Sequence, residues 1–558
     1  MIRSSKSAGF SIVRLIIFLG ILVILAALSI PSFMKFSMKA KMGVPSMPPP
    51  LSPINSAAYH DMFFKEYGTN PFIDTEDEHL STFAMDVDTA SYSITRRYIN
   101  EGHLPPPEAV RVEEFVNAFD YHYTPPKNGA FALHIEGAPS RFGEGNRLRL
   151  LRIGIKGRVI PDEDRKDAIL TFVIDVSGSM SIENRLGLVK RALNLLVKQL
   201  RPGDKVAIVA YGSRAHVVLS HTGIEARGEI LAAINSLEPD GVTNAEEGLR
   251  MGYDLALRNA KAGSINRVIL CSDGVANVGK TGDKEILKEI RAHVQEGITL
   301  STIGFGMGNY NDVLMEQLAN NGNGSYAYVD RIDEARRVFV ENLTGTLQLI
   351  AKDAKIQVDF NPQVVSRFRL LGYENRRLEH DQFRDDTADA GEIGPGHSVT
   401  ALYEIKLHEA ATGELANVRI RHEDPDSHQV TELGEDIHSS QLKDSFEDAS
   451  PEFRLAAAVA EFAEILRGSY WAKDGSLEDV YQVVGRIAAQ IPSEQITELM
   501  DLMRRAMDTV VANRKDNNVL VNAQRRMLRG GGFLRLNLTI IHFYSIMQSI
   551  GSLSIGVK

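Results

Sequence analysis

From residue 166 onward the chain alternates short apolar runs with stretches of helical period. Runs at Ala168 to Ile174, Lys205 to Tyr211, His216 to Ser220, Val268 to Cys271, Thr299 to Phe305 and Ser325 to Val329 read as strands. The unbroken ones suit strands covered on both faces. Between them, Ile182 to Leu200, Ala226 to Leu237, Asn244 to Ala260, Lys284 to Gln295, Asp312 to Asn320 and Ile332 to Leu349 read as helices. The alternation predicts an α/β domain over 166–349 with a central doubly wound, mostly parallel sheet, flanked by helices on right-handed crossovers. The gap Gly212 to Ala215 is too short for a crossover, so the third strand is expected to run antiparallel at an edge.

The flanks have other textures. In an N-terminal region, 79–165, a helix-like Ile94 to Asn100 is followed by Pro105, Pro106 and Pro107, which suit a helix entry, and by Val112, Phe115, Val116 and Phe119 on one helical face. Ala130 to Gly157 alternates like short strands. After Leu349 the period drops to two, as in Lys355 to Phe360, Val399 to Leu407 and Asn417 to Arg421, predicting a β-rich module over 350–445, a small sandwich packed on the central domain. Phe453 to Arg467, Leu477 to Ala488 and Ser493 to Val511 predict a helical module over 446–515. The tail, 516–558, alternates from Leu534 to Ile540 as an edge strand would, and Arg535, Asn537 and His542 argue against a second membrane span.

At the N-terminus, Leu15 to Ile30 carries no charge, and with its apolar flanks it approaches the ~20 residues that cross a bilayer as a helix. The expectation is a single transmembrane helix over 10–34 and a Pro- and Ser-rich tether over 35–78, densest from Gly43 to Pro53. The body is expected outside the cytoplasm, in the periplasm on a bacterial inner membrane or at the cell surface. Gly9-Phe10-Ser11-Ile12-Val13, the apolar helix and Pro31 resemble a type IV prepilin leader. That resemblance implies cleavage of a leader, 1–9, after Gly9 and N-methylation of Phe10. Where the family has a glutamate used in pilus assembly, this chain has Arg14. A plain signal anchor is the competing reading.

Composition narrows the classes. At 558 residues several domains are expected, and 44% hydrophobic with 24% charged residues is ordinary for a soluble globular body. A net charge of -10, with no basic patch interleaved with aromatics, argues against nucleic acid as a partner. The single cysteine, Cys271, excludes an internal disulfide and reads as a small core residue.

The candidate chemistry lies where the apolar runs stop. Ala168 to Ile174 ends in Asp175, Ser177 and Ser179; Pro239 to Asn244 places Thr243 on a loop or cap at a helix start; Val268 to Cys271 is followed by Asp273. In a doubly wound sheet these loops meet beyond the carboxyl ends of neighbouring strands. Carboxylates and hydroxyls without thiol or imidazole suit a hard ion, Mg2+ or Mn2+. The pattern resembles the metal-ion-dependent adhesion site of the von Willebrand factor type A domain, matched in order by Asp175, Ser177, Ser179, Thr243 and Asp273. The resemblance implies a divalent metal whose open position takes an Asp or Glu carboxylate from a protein partner. The regions before and after the domain resemble those of a bacterial family of membrane-associated type A proteins, over about residues 80–510. No residue of these loops is placed as a general base, so a binding protein, adhesive or scaffolding, is expected rather than an enzyme.

Two rivals carry their own residues. A pilin-like or pseudopilin-like subunit could display the same domain. Asp86-Val87-Asp88-Thr89 resembles the nucleophile loop of haloacid-dehalogenase-like phosphotransferases, which implies nucleophilic Asp86 and acid-base Asp88. The apolar run before it, Phe83 to Met85, is short, and the bland reading is a turn before the helix that Ser91 begins. Asp385, Asp386, Asp389 and Glu392 have calcium-binding chemistry but no calcium-loop spacing, so a solvated acidic loop is the favoured reading.

Overall fold

The computed structural model describes residues 62–529 apart from 86, 143–147, 275–282, 307–309, 342–344 and 346. The leader, the membrane helix and all but the end of the tether lie outside the described residues, as does everything after 529. Among the described residues no helix is long and apolar enough to cross a membrane.

Before the central domain come strands β1 (Ile73–Asp74), β2 (Leu80–Ala84), β3 (Phe131–Pro139) and β4 (Leu148–Gly157). The domain itself contributes β5 (Ala168–Asp175), β6 (Lys205–Tyr211), β7 (Ala215–Gly223), β8 (Ile265–Ser272), β9 (Thr299–Phe305) and β10 (Tyr326–Val329). They form one sheet in the order β10-β9-β8-β5-β6-β7. Every pair is parallel except β6 with β7, the edge hairpin expected from the short gap. All eight residues of β5 are buried. Leu170, Phe172 and Ile174 face one helical layer with Val189 and Leu193, while Val173 faces the other with Leu249 and Tyr253. Each such apolar side chain contributes roughly 1.5–3 kcal/mol on burial, which explains why this strand reads as an unbroken apolar run. The helix expected from Ile332 to Leu349 is present but irregular: Ile332–Arg336 is α-helical, Arg337–Glu341 widens into a π-turn, and Gly345 and Leu347 are α-helical again.

After the domain run β11 (Ala351–Phe360), β12 (Val365–Leu371), β13 (Gly391–Ile393), β14 (Ser398–Leu407), β15 (Glu414–Glu423) and β16 (Val430–His438). The expected division into an N-terminal region and a separate β-rich module needs correction. One sheet runs β1-β12-β14-β4-β3 and the other runs β13-β11-β15-β16 with β2 also on β11, so both segments build a single sandwich. Its core joins Leu151, Ile153 and Ile155 from before the domain to Ile356, Val358, Tyr403 and Ile405 from after it. The hairpin of β3 and β4 alone would leave an apolar face and an edge uncovered, and the later strands supply both. The central domain is therefore an insertion between β4 and β11.

The three C-terminal helices, Pro451–Leu466, Leu477–Ala488 and Glu494–Arg529, share a core with Val112–Asn117 through Phe115, Phe453, Phe462, Val484 and Leu499. The last helix outruns the expected end at Val511 and takes in the start of the expected tail, because no Gly or Pro interrupts it before Gly530. Arg96, buried on the helix Ala90–Asn100, pairs with Asp330 and Glu334 of the central domain and with Glu498 of the last helix. The inserted domain is thus tied to both flanks.

Candidate functional site

Strands β5 and β8 are parallel neighbours with Ile174 opposite Cys271, so Asp175 and the Ser272-Asp273 pair leave the sheet together at its carboxyl edge. Asp175 is fully buried. Its Oδ1 accepts the backbone N–H of Ser177 at 2.8 Å, and its Oδ2 accepts the hydroxyls of Ser272 at 2.8 Å and Tyr211 at 3.4 Å. The Oγ atoms of Ser177 and Ser179 are 3.0 Å apart, and Ser179 Oγ donates to Asp273 Oδ1 at 3.1 Å. Asp273 Oδ2 in turn accepts Nη1 of Arg185 at 2.7 Å. Four of the five residues expected from the sequence thus lie in one hydrogen-bonded chain.

The fifth, Thr243, is half-buried on the loop that docks against them. Gly178 N–H donates to Gly241 O at 2.9 Å and Asp240 N–H donates to Val176 O at 2.5 Å, fastening this loop to the first. Gly241 has a left-handed φ of 69°, and a Cβ there would run into Ser213 Oγ, so both the turn and the close approach require glycine. Of the two expected placements Thr243 takes the loop. The cap of the helix Ala245–Leu257 is Asn244, whose side chain accepts from Glu247 N–H at 3.4 Å.

Burial foremost, then the charge of Asp273, pushes the Asp175 carboxyl up to about 6, while hydrogen bonds from Ser177 and Ser272 act in the opposite direction. Two acids are therefore held close enough to repel, among neutral hydroxyls, in an oxygen-only set that fits a hard divalent ion. Arg185, Ser272 and Tyr211 were not singled out in the sequence. None of the three carried a clear signal in the sequence, because each meets its partner only through the fold.

The other candidates resolve differently. Asp86 lies outside the described residues. Asp88 is buried, with Oδ1 accepting Tyr326 N–H at 3.1 Å and Oδ2 accepting Arg376 Nη2 at 3.2 Å. This carboxylate holds β10 to the loop after β12. Asp385 accepts both the backbone N–H and the hydroxyl of Thr387, and Asp386 pairs with Arg421, both exposed, as the solvated-loop reading expects. Asp389 is exposed as well, while Glu392 is half-buried, and the two gather with Asp353, their carboxylate oxygens within 4.8 Å of one another. Cys271 is buried in β8, as its apolar surroundings suggested.

Comparison with known proteins agrees with this architecture. The von Willebrand factor type A domain family matches residues 170–342, a von Willebrand factor family matches 58–150, and the C-terminal family of uncharacterized protein YfbK matches 345–509. Uncharacterized protein YfbK of Escherichia coli is 35% identical over 474 residues, covering 79% of this chain and 80% of that protein. Uncharacterized protein sll0103 of Synechocystis is 25% identical over 303 residues, 53% of this chain and 71% of that one. Among solved structures, a von Willebrand factor type A protein from Catenulispora acidiphila aligns with a TM-score of 0.40 at 15% identity, covering 72% of this chain and 90% of that one. Type A domains generally serve protein interaction. With its central domain framed by the two matched flanking regions, the chain belongs to the YfbK family of von Willebrand type A domain proteins.

Proposed function

We propose that this protein is a membrane-tethered, divalent-metal-dependent protein-binding module, adhesive or scaffolding, that captures a carboxylate of its partner at the carboxyl edge of β5 and β8. The observation that carries the reading is the continuous chain from Asp175 through Ser177 and Ser179 to Asp273, with the Thr243 loop fastened to it. Asp175, Ser177, Ser179, Thr243 and Asp273 would hold Mg2+ or Mn2+. A bound ion supplies a positive centre that the hydroxyls leave unneutralised, and an Asp or Glu of a protein partner is the ligand that gains most from it. The body contributes a rigid platform, because the site sits on strand ends anchored in a buried sheet rather than on a free loop. The uncharged run from Leu15 to Ile30 supplies the membrane anchor and the Pro- and Ser-rich stretch after it the tether, with the body outside the cytoplasm.

The test is capture of partners from the producing cells by the full-length protein in detergent, with Mg2+ or with chelator, followed by sequencing of what is retained. The reading expects a protein retained in Mg2+, released by chelator, and lost when one exposed Asp or Glu of it is changed. Retention that is indifferent to chelator would defeat it.

A further inference from the structure

We infer that Arg185 is a built-in counter-charge that sets how strongly the site holds its metal against how strongly the held metal draws a carboxylate, an inference that rests on the metal-binding reading above.

The geometry is specific. The guanidinium of Arg185 donates through Nη1 to Asp273 Oδ2 at 2.7 Å, and both side chains are nearly closed off, at 6% and 5% exposure. Asp273 keeps its other oxygen, Oδ1, on the Ser179 hydroxyl, toward the candidate ligands. The arginine is locked in place by its neighbours. Gly306, at a left-handed φ of 77°, passes so close that a Cβ there would strike Arg185 Nε, and Tyr328 donates its hydroxyl to Gly306 O at 2.6 Å, fixing that strand end.

The consequence follows from formal charge. Asp175 and Asp273 bring two negative charges, and Arg185 returns one positive charge to the same enclosed space. Without the arginine a divalent ion would be fully neutralised by its two acids and would have little electrostatic demand for a third. With it, the empty site carries one net negative charge instead of two and so draws the cation less, and the loaded site carries one net positive charge, which attracts an incoming anion. Arg185 therefore lowers metal affinity and raises the affinity of the loaded site for carboxylate. Because Arg185 also holds one oxygen of Asp273, it acts as a positioning residue as well, and the two roles separate by substitution. Arg185→Lys keeps the charge and loses the fork; Arg185→Gln loses the charge.

The experiment is Mn2+ titration of the full-length protein in detergent, read by electron paramagnetic resonance, with acetate as the carboxylate probe read by its displacement of Mn2+-bound water in proton relaxation. With one like charge removed from a poorly screened site, Arg185→Gln should tighten Mn2+ by about tenfold or more and weaken acetate by a similar factor. Arg185→Lys should stay close to the wild-type values. Arg185→Leu serves as a second uncharged variant, and circular dichroism reports whether each variant folds. Unchanged or weaker Mn2+ binding in the folded uncharged variants overturns the inference. So does a lysine variant that behaves like them, since geometry rather than charge would then be at work. If neither uncharged variant folds, Arg185 is a structural ion pair and the inference likewise fails. Wild-type protein that binds no Mn2+ would instead overturn the metal-binding reading itself.

Discussion

Two acidic clusters of this molecule solve the same electrostatic problem in opposite ways. In the type A domain, Asp175 and Asp273 are held together, yet each of their oxygens meets a donor, and Arg185 returns a positive charge. In the sandwich, Asp353, Asp389 and Glu392 bring their carboxylates within 4.8 Å of one another with far less support. Asp353 Oδ1 accepts Ala390 N–H at 3.1 Å, but Glu392 Oε1 is buried without a hydrogen-bond partner. Burial foremost raises all three carboxyls above their ordinary range; their mutual repulsion adds to the rise for Asp389 and Glu392, and Glu392 is raised furthest. What separates them is preorganisation: hydroxyls, backbone N–H groups and a directly paired guanidinium are arranged around the first pair, whereas the second group has one backbone N–H on Asp353 and nearby cations whose pull is outweighed by burial. A cluster of acids is not a site until its surroundings are built for a ligand.

That contrast can be broken most forcefully at Asp175. Asp175→Asn keeps the shape and removes one charged ligand. Even removal of an outer-shell partner costs about 10–100-fold in metal affinity, so Mn2+ binding should fall by at least that much while the far-ultraviolet spectrum stays unchanged. Equal affinity in the variant would dissolve the distinction between the two clusters.

Next in size is the stabilisation by metal. At Mg2+ one hundred times its dissociation constant, the folded wild type should gain about 2.7 kcal/mol, visible as a raised melting temperature. The same addition should stabilise Asp175→Asn by no more than about 1.4 kcal/mol, since its site is at least tenfold weaker.

The sandwich cluster should show itself through pH rather than metal. A carboxyl raised in the folded state holds a proton that the unfolded chain releases, so stability falls as pH rises above the ordinary carboxyl value, 4.5 for Glu392. Urea midpoints should therefore show the wild type losing stability from pH 5 to pH 8, and Glu392→Gln should flatten that slope. A slope unchanged by the substitution would mean that the crowding is relieved by some other route.

The smallest effect is expected at Thr243. Thr243→Ala removes one neutral donor from a half-buried loop, so Mn2+ affinity should drop less than in Asp175→Asn, and stability should move by no more than about 1 kcal/mol. Calorimetry and thermal melting measure the two quantities separately. A larger loss of stability than of affinity would assign Thr243 to the loop's structure.

The two regions also differ in how plainly the sequence announced them. In β5 both faces of the strand are covered, so the whole run is apolar and its end at Asp175 is easy to find; the hairpin of β6 and β7 and the helix Leu477–Ala488 were equally plain, because each is decided by local spacing. The sandwich was legible only in part. Alternation tells which residues of a strand face the core but not which strand lies beside it, so nothing in Leu148 to Gly157 revealed that its neighbour is Ser398–Leu407. The same limit applies to chemistry. Asp175, Ser177 and Ser179 are neighbours along the chain, whereas Asp353 joins Asp389 and Glu392 only through the fold, and Arg185 reaches Asp273 across the end of the sheet.

The most direct measurement is anomalous diffraction from crystals of the protein grown with Mn2+. The account predicts a single strong peak at the carboxyl edge of β5 and β8, bounded by Asp175, Ser177, Ser179, Thr243 and Asp273. No peak there, or one among Asp353, Asp389 and Glu392 instead, would contradict it.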